Sequence, residues 1–282
     1  MNEEQNLLAR RVLEAKELAQ RLRLRVLELT STAKSSHVGS AFSMAELLAA
    51  LYSGVLRVSP TNVDDPDRDR FILSKGHAVA ILYAVLVEKG FFPAEWLHTF
   101  YQNDTLLAGH ATSKGIPGIE LSTGSLGHGL SVGCGMAYAA RLDGRTSRVW
   151  VMLSDGECDE GSIWEAAMFA GHHRLENLVV IVDYNKVQSI GTVKDVLDLE
   201  PFADKWRAFG WCVCEIDGHD LDEVFNTFSV IPVEKGRPTA VIAHTVKGKG
   251  VDFMEGTVLW HYRSPQGEEF ALAKRELGGS ER

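Results

Sequence analysis

The chain has 282 residues, 45% of them hydrophobic, with 38 acidic against 29 basic side chains and a formal net charge of −9. This content is enough for one sizeable α/β core, while the negative balance opposes nucleic-acid and anionic-membrane partners, which need a basic surface. No apolar run approaches the ~20 residues that span a bilayer, and the start, MNEEQNLLARR, lacks the apolar segment of a signal peptide, so a cytoplasmic chain is expected.

Leu7, Leu8, Val12, Ala15, Leu18, Ala19, Leu22, Val26 and Leu29 recur at spacings of three and four with charges between them, which predicts an amphipathic helix over residues 3–34. His37, Val38, Gly39 and Ser40 read as a loop, and Ser43 as the cap of a second helix over 44–56. A histidine on such a connection carries a site only where a scaffold aims it. Residues 58–69, rich in Pro, Asp and Asn, form a further loop. Phe71-Ile72-Leu73 is a short strand, followed by Ser74-Lys75-Gly76-His77 and a helix over 78–90. Free backbone N–H groups at such a strand-to-helix turn attract anions, with His77 at the mouth. These residues alone leave open whether His77 meets a ligand or only a neighbouring loop.

After a helix over 94–102, residues 107–129 run without periodicity, and loops of this length inside a compact domain tend to be functional. This one holds His110 and the run Ser122-Thr123-Gly124-Ser125-Leu126-Gly127-His128-Gly129. Its glycines permit close approach to a ligand or to another helix. An apolar helix over 130–142 follows.

The stretch 149–191 contains two apolar runs, VWVMLS before Asp155-Gly156-Glu157 and LVVIV before Asp183-Tyr184-Asn185. As buried strands of an open parallel sheet, they place Asp155 and Asn185 beyond their carboxyl ends, where ligands of such sheets bind. An Asp and an Asn facing one point suit a hard cation such as Mg²⁺, completed by phosphate and water. The N–H groups of Gly156 and Glu157 can face the same phosphate. On the intervening helix Glu160 and Glu165 read as solvated carboxylates, and His172 and His173 as a helix end without chemistry.

A helix over 202–209, a strand over 211–216, a helix over 221–228 and a strand over 239–244 complete the α/β pattern. The last strand ends in Thr245-Val246-Lys247-Gly248-Lys249-Gly250, whose two lysines either meet phosphate or are solvated. Trp260-His261-Tyr262-Arg263 leads into a charged terminal helix. Cys134, Cys158, Cys212 and Cys214 form no C-x-x-C pair and no metal-ligand spacing, so reduced structural thiols are expected. With no repeat and no low-complexity linker, residues 1–282 read as one domain, with an N-terminal helix over 3–34 and a short tail over 263–282.

The run from Ser154 to Asn185 resembles the thiamin diphosphate motif, in which Gly-Asp-Gly is followed by Asn at the next strand end. Here 27 residues separate Gly156 from Tyr184. Pieces similar to transketolase surround it in the same order: His37-Val38-Gly39 before Ser43-Met44, Asp69-Arg70-Phe71-Ile72-Leu73-Ser74-Lys75-Gly76-His77, Gly109-His110, the glycine run 122–129, and Asp183-Tyr184-Asn185-Lys186. The likeness runs from about residue 20 to about residue 262. It covers the family's N-terminal half alone, as in transketolases split into two subunits.

The resemblance implies a thiamin diphosphate-binding α/β fold, with a mostly parallel central sheet and helices on both faces. It implies Mg²⁺ on Asp155, Asn185 and the Val187 carbonyl, bridging both phosphates of the cofactor. His77, Gly156, Glu157 and His261 match positions near the diphosphate, and Gly124 and Leu126 match those at the aminopyrimidine. His37, His77, His110 and His261 match the imidazoles of the family's substrate channel, where proton transfer assists cleavage of a ketose and passage of its two-carbon unit to an aldose. Glu160 and Glu165 match carboxylates buried where two subunits meet, against the solvated reading above.

Departures stand beside the matches. Ser154 replaces the first Gly of the motif and Tyr184 the first Asn, and both leave the implied metal ligands in place. Val38 and Ala111 stand where transketolases often have Pro, and Ser125 and His128 where they have Pro and Gln, which alters the substrate pocket. Lys247 stands where full-length transketolases commonly have an apolar residue, and a cation there would add a diphosphate contact. The pyrimidine-binding half, with the glutamate that protonates the aminopyrimidine and the arginines that grip a sugar phosphate, is absent from the chain. The expected protein is therefore inactive alone and completed by a C-terminal transketolase subunit in an α₂β₂ assembly. Alternatives are the α subunit of a 2-oxo-acid dehydrogenase, or a non-catalytic subunit of the same fold, which Asp155 and Asn185 oppose.

Overall fold

The computed structural model describes residues 3–278. The helices are α1 (Glu3–Ala33), α2 (Val38–Phe42), α3 (Ala45–Ala50), α4 (Val79–Glu88), α5 (His128–Leu142), α6 (Gly161–His172), α7 (Val193–Val196), α8 (Phe202–Ala208), α9 (Leu221–Ser229) and α10 (Glu268–Glu276). The strands β1 (Arg70–Leu73), β2 (Val149–Ser154), β3 (Leu178–Tyr184), β4 (Cys212–Asp217) and β5 (Thr239–His244) form a parallel sheet in the order β1-β2-β3-β5-β4. Every residue of β2 and β3 is buried. Their unbroken apolar runs are the pattern of strands covered on both faces.

Alternate side chains divide the interior in two. Val149, Val151 and Leu153 of β2 pack with Leu130 and Ala137 of α5, Ala167 of α6 and Trp206 of α8. Trp150 and Met152 face the other way, toward Leu22 of α1, Leu48 of α3, Ile81 of α4 and Phe228 of α9. The placement follows from handedness, because right-handed crossovers that travel one way along a sheet put their helices on one face. The steps from β1 through β4 travel one way, with α5, α6 and α8 on one face. The return from β4 to β5 reverses, and α9 lies on the other.

The local differences from the sequence reading have physical causes. Residues 38–42 are helical rather than a loop, because all five side chains are buried, and the segment is too short for periodicity to show. Ser43 does not cap the next helix. Its hydroxyl donates to Ser40 O (3.1 Å) and to the buried Asp183 carboxylate (2.6 Å), and Met44 occupies the cap position. The helix expected over 44–56 ends as α3 and widens into a π turn, Leu51–Val55, where Gly54 takes φ +116°. Residues 94–99 form a 3₁₀ segment, shorter than the helix expected there. The expected tail over 263–282 contains α10, and its last four residues lie outside the described ones. No helix among the described residues is long and apolar enough to cross a membrane.

Close approach also shapes the second layer. A Cβ added at Gly171 of α6 would sit 1.8 Å from the main-chain oxygen of Phe209, at the turn before β4. A backbone oxygen cannot rotate away, so Gly171→Ala is expected to cost roughly 2 kcal/mol or more by displacing α6 from that turn. Urea unfolding of the variant checks this, and an unchanged midpoint would contradict it.

Candidate active site

Because the sheet is parallel, the segments leaving β1, β2, β3 and β5 emerge on one edge, and they converge on a cavity of about 240 Å³. Asp155 follows β2, Asn185 follows β3, Lys247 follows β5, and His77 lies in the 3₁₀ turn after β1. His37, His110, Gly124, Leu126, Gly156, Val187 and His261 complete the wall from other loops.

Asp155 is 2% exposed, and its two oxygens accept from Gly156 N–H (2.7 Å) and Lys186 N–H (2.5 Å). Burial, reinforced by the neighbouring Asp183 carboxylate, pushes Asp155 up to about 7 despite those bonds. Asn185 Oδ1 accepts from Val187 N–H (3.2 Å), and its amide donates to Asp183 (3.1 Å), which fixes the orientation of the side chain. A carboxylate, an amide oxygen and the Val187 carbonyl are together an all-oxygen set of the kind hard divalent cations take. Among the described residues no three His, Cys, Asp or Glu side chains gather into a metal site. A cation at Asp155 would therefore complete its shell with ligand oxygens and water.

Behind this edge lies a fully buried ion pair, Lys75 with Asp183. Asp183 also accepts from the hydroxyls of Ser43 and Thr245, and Lys75 donates to Ser40 O (3.0 Å). Burial alone would raise Asp183, but the Lys75 ammonium and the hydrogen bonds hold it below the ordinary carboxylate value. Lys247, 1% exposed, donates to Val187 O (2.8 Å) and meets His261 Nδ1 at 2.7 Å. Burial lowers Lys247 to about 8.

The imidazoles form a cluster. Ring centroids of His37 stand 4.9 Å from His77, 5.0 Å from His261 and 6.2 Å from His110. His37 takes the left-handed φ of 74° and donates its N–H to His261 O (2.8 Å), which ties the α1–α2 connection to the loop beyond β5. Burial first, then His110 and Lys247, lower His37 to about 4; burial and Lys247 lower His261 to about 3. His77 is driven well below its usual value by burial and by Lys75. These three rings are neutral near pH 7, able to accept or donate a proton.

The model of the transketolase thiamine diphosphate binding domain matches residues 14–281. The chain belongs to the transketolase family. It is 44% identical over 255 residues to one of the subunits of the apulose-4-phosphate transketolase of Phocaeicola vulgatus, covering 90% of each chain. It is also 44% identical over 241 residues to the 6-deoxy-6-sulfo-D-fructose transketolase subunit SqwG of a Clostridium species, covering 86% of this chain and 88% of that one. The solved transketolase of Leishmania mexicana superposes with a TM-score of 0.89 at 29% identity, over 94% of this chain and 41% of that one. The chain thus spans about two fifths of that transketolase.

Within this transketolase domain, most of the residues singled out from sequence meet at the cavity, and Glu157 does not. Its side chain is fully buried, accepting from Ser74 Oγ (2.5 Å) and Gly127 N–H (2.9 Å), while its own N–H donates to Ser154 Oγ (3.2 Å). Glu157 therefore ties the glycine run to the β1 and β2 ends. The N–H of Gly156 is likewise engaged, by Asp155, although Gly156 lines the wall. Lys249 points away and pairs with Glu255 at 3.5 Å. Glu160 and Glu165 are exposed, and His172 and His173 lie at the far end of α6. Sequence reasoning missed Ser40, Gln188, Ser189 and Tyr262 on the wall, for which no residue type or spacing gives a signal.

It also missed the support beneath Lys247. Arg23 of α1 holds Glu46 of α3 through two bonds of 2.6 Å, and Glu46 accepts from His219 Nδ1 (2.9 Å). His219 Nε2 accepts the Val246 N–H (2.9 Å), so the imidazole proton lies on Nδ1. Burial would raise Glu46, yet the His219 hydrogen bond and the Arg23 charge hold it at about 2. A carboxyl depressed below its unfolded value of 4.5 adds stability above that pH and loses it as pH falls toward 2. Glu46→Gln is therefore expected to cost on the order of 3 kcal/mol at pH 7. The gap from wild type should shrink between pH 4.5 and 2, and urea titrations across that range showing a constant gap would contradict the assignment.

Proposed function

We propose that this chain is the thiamin diphosphate-binding subunit of a two-subunit transketolase, which moves a two-carbon ketol unit from a ketose, phosphorylated or otherwise anionic, to an aldose. The observation that carries the reading is the single cavity where Asp155, Asn185 and Lys247 from three strand ends face the cluster of neutral imidazoles. Two relatives of matching length are named as subunits, for a ketose phosphate and a sulfo-sugar, which supports both the split assembly and the anionic substrate class.

In this reading Asp155, Asn185 and the Val187 carbonyl hold Mg²⁺. Their all-oxygen chemistry fits it, and a divalent cation would stabilise the charged form of a buried carboxyl otherwise held at about 7. Gly156, His77, His261 and Lys247 lie beside the diphosphate, and Gly124 and Leu126 beside the aminopyrimidine. When bound, thiamin diphosphate supplies the nucleophilic carbon that adds to a ketose carbonyl. The protein's part is positional and electrostatic. His37 and His110 meet the substrate hydroxyls, where a neutral imidazole takes the proton released as the carbon–carbon bond breaks. His77 and His261 steady the diphosphate end, and the cations of Lys75 and Lys247 disfavour protonation of the nearby imidazoles.

The partner is a C-terminal transketolase subunit carrying the pyrimidine-binding half, in an α₂β₂ assembly. Helices α5 and α6 leave Val132, Met168 and Phe169 exposed, Met168 by 56%, and open space lies beyond Gly135 and Gly161. An apolar helical face of this kind, with Glu160 and Glu165 beside it, supports cover by another subunit.

The chain co-purified with its partner is expected to transfer ketol units only with both thiamin diphosphate and Mg²⁺, and the chain alone is expected to be inactive. Full activity of the isolated chain would defeat the split-site reading. In the complex, Asp155→Ala should remove Mg²⁺-dependent cofactor binding measured by calorimetry, a loss of at least about 100-fold in affinity given the role of a charged metal ligand. Near-normal affinity would defeat the metal assignment.

A further inference from the structure

Beside the main cavity lies a recess of about 40 Å³, which shares His37, His77 and His110 with it and is otherwise walled by Ser35, Tyr101 and Gly109 among others. None of Asp155, Gly156, Asn185, Gly124 or Leu126 lines it, so it lies on the side away from the metal and cofactor positions. Two of its polar atoms are buried without a hydrogen-bond partner among the described residues, Ser35 Oγ and His37 Nδ1. Ser35 is 5% exposed, and its N–H is already donated to Thr30 O (3.0 Å), so only the hydroxyl is left over. A buried polar group without a partner costs roughly 1–3 kcal/mol, and two at one recess point to a group supplied from outside.

The recess is shaped for that group. Tyr101 is held in the left-handed region at φ 63°, with its N–H bonded to Leu107 O (3.0 Å). Its ring lies so close over Gly109 that a Cβ there would fall 2.1 Å from Tyr101 Cε2. A non-glycine residue in this backbone region is strained, and such strain persists where the surroundings impose it. The volume is little more than the ~30 Å³ share of one water in the liquid, enough for one hydroxyl. A hydroxyl can both donate and accept, which suits a serine hydroxyl and an imidazole nitrogen together.

We propose that this recess is a hydroxyl-recognition subsite, and that Ser35 is a specificity-determining residue which, with His37 Nδ1, receives a sugar hydroxyl lying beyond the two carbons nearest the reacting centre. The inference rests on the ketol-transfer reading above. A site built to hydrogen-bond a hydroxyl discriminates against substrates that lack it, because its own polar atoms are then left unpaired.

The test uses the chain assembled with its partner, thiamin diphosphate and Mg²⁺, with D-xylulose 5-phosphate as donor and either D-erythrose or glycolaldehyde as acceptor. Ser35→Ala keeps the main-chain bond to Thr30 and removes the hydroxyl alone. It should lower kcat/KM for D-erythrose about tenfold, mainly through KM, the effect of one lost hydrogen bond of ~1.4 kcal/mol. Glycolaldehyde, which has no hydroxyl to place there, should be used as well by the variant as by wild type. An equal fall for both acceptors, the mark of an ordered water only, or no fall for either, would overturn the subsite. Failure of the wild-type complex to transfer to either acceptor would instead overturn the ketol-transfer reading, and the subsite with it.

Discussion

The candidate site depends on the buried pair of Lys75 and Asp183. A charged pair taken fully out of water recovers its desolvation cost only when the remaining donors and lone pairs are also engaged. Here Ser40, Ser43, Thr245 and Asn185 supply those partners. Each comes from a different part of the wall: Ser40 from α2, Ser43 from the α2–α3 turn, Thr245 from the end of β5 and Asn185 from the end of β3. Satisfying one carboxylate therefore fixes the relative positions of three strand ends and the segment that follows His37. Removing either charge would leave the other buried and alone, at a cost of about 3–5 kcal/mol, so the geometry is specified rather than merely allowed.

The same pair sets the electrostatics in front of it. Lys75 and Lys247 lie beneath the imidazoles and add to burial in keeping His77 and His261 neutral. Asp183, facing Asp155, adds to burial in raising that carboxyl. The wall thus holds neutral rings that can exchange protons on one side and a carboxyl short of positive charge on the other. In a chain with a net charge of −9, the positive charge that would attract an anion is local, contributed by buried lysines at strand ends.

Much of this was legible in sequence for identifiable reasons. The unbroken runs VWVMLS and LVVIV announced buried parallel strands, and parallel pairing alone carries Asp155 and Asn185 to one edge. The histidine motifs named the ring cluster before any distance was available. What escaped was of two kinds. Short buried helices such as α2 have too few turns to show a period, and Ser43 looked like a cap because the demand of Asp183, 140 residues away, is invisible locally. The Arg23–Glu46–His219 chain escaped for the same reason, since its members lie on α1, α3 and the β4–α9 turn. Glu157 shows the converse limit: its position at the strand end was read correctly, but its side chain turned inward to anchor the glycine run.

His110 is exposed in the isolated chain, as are Tyr262 and the apolar residues of α5 and α6, whereas Asp155, Asn185 and Lys247 are buried. The deep, charged side of the cavity is therefore built by this chain's own folding, through hydrogen bonds internal to it. The side that would enclose a substrate is left open, and a site that must exclude water needs that side covered. An apolar helical surface next to an open cavity is unfavourable for a free monomer but suits a subunit interface, where burial of that surface and closure of the site occur together. Assembly and activity are then coupled by the same surface, which gives a physical basis for a transketolase domain that stands on a separate chain.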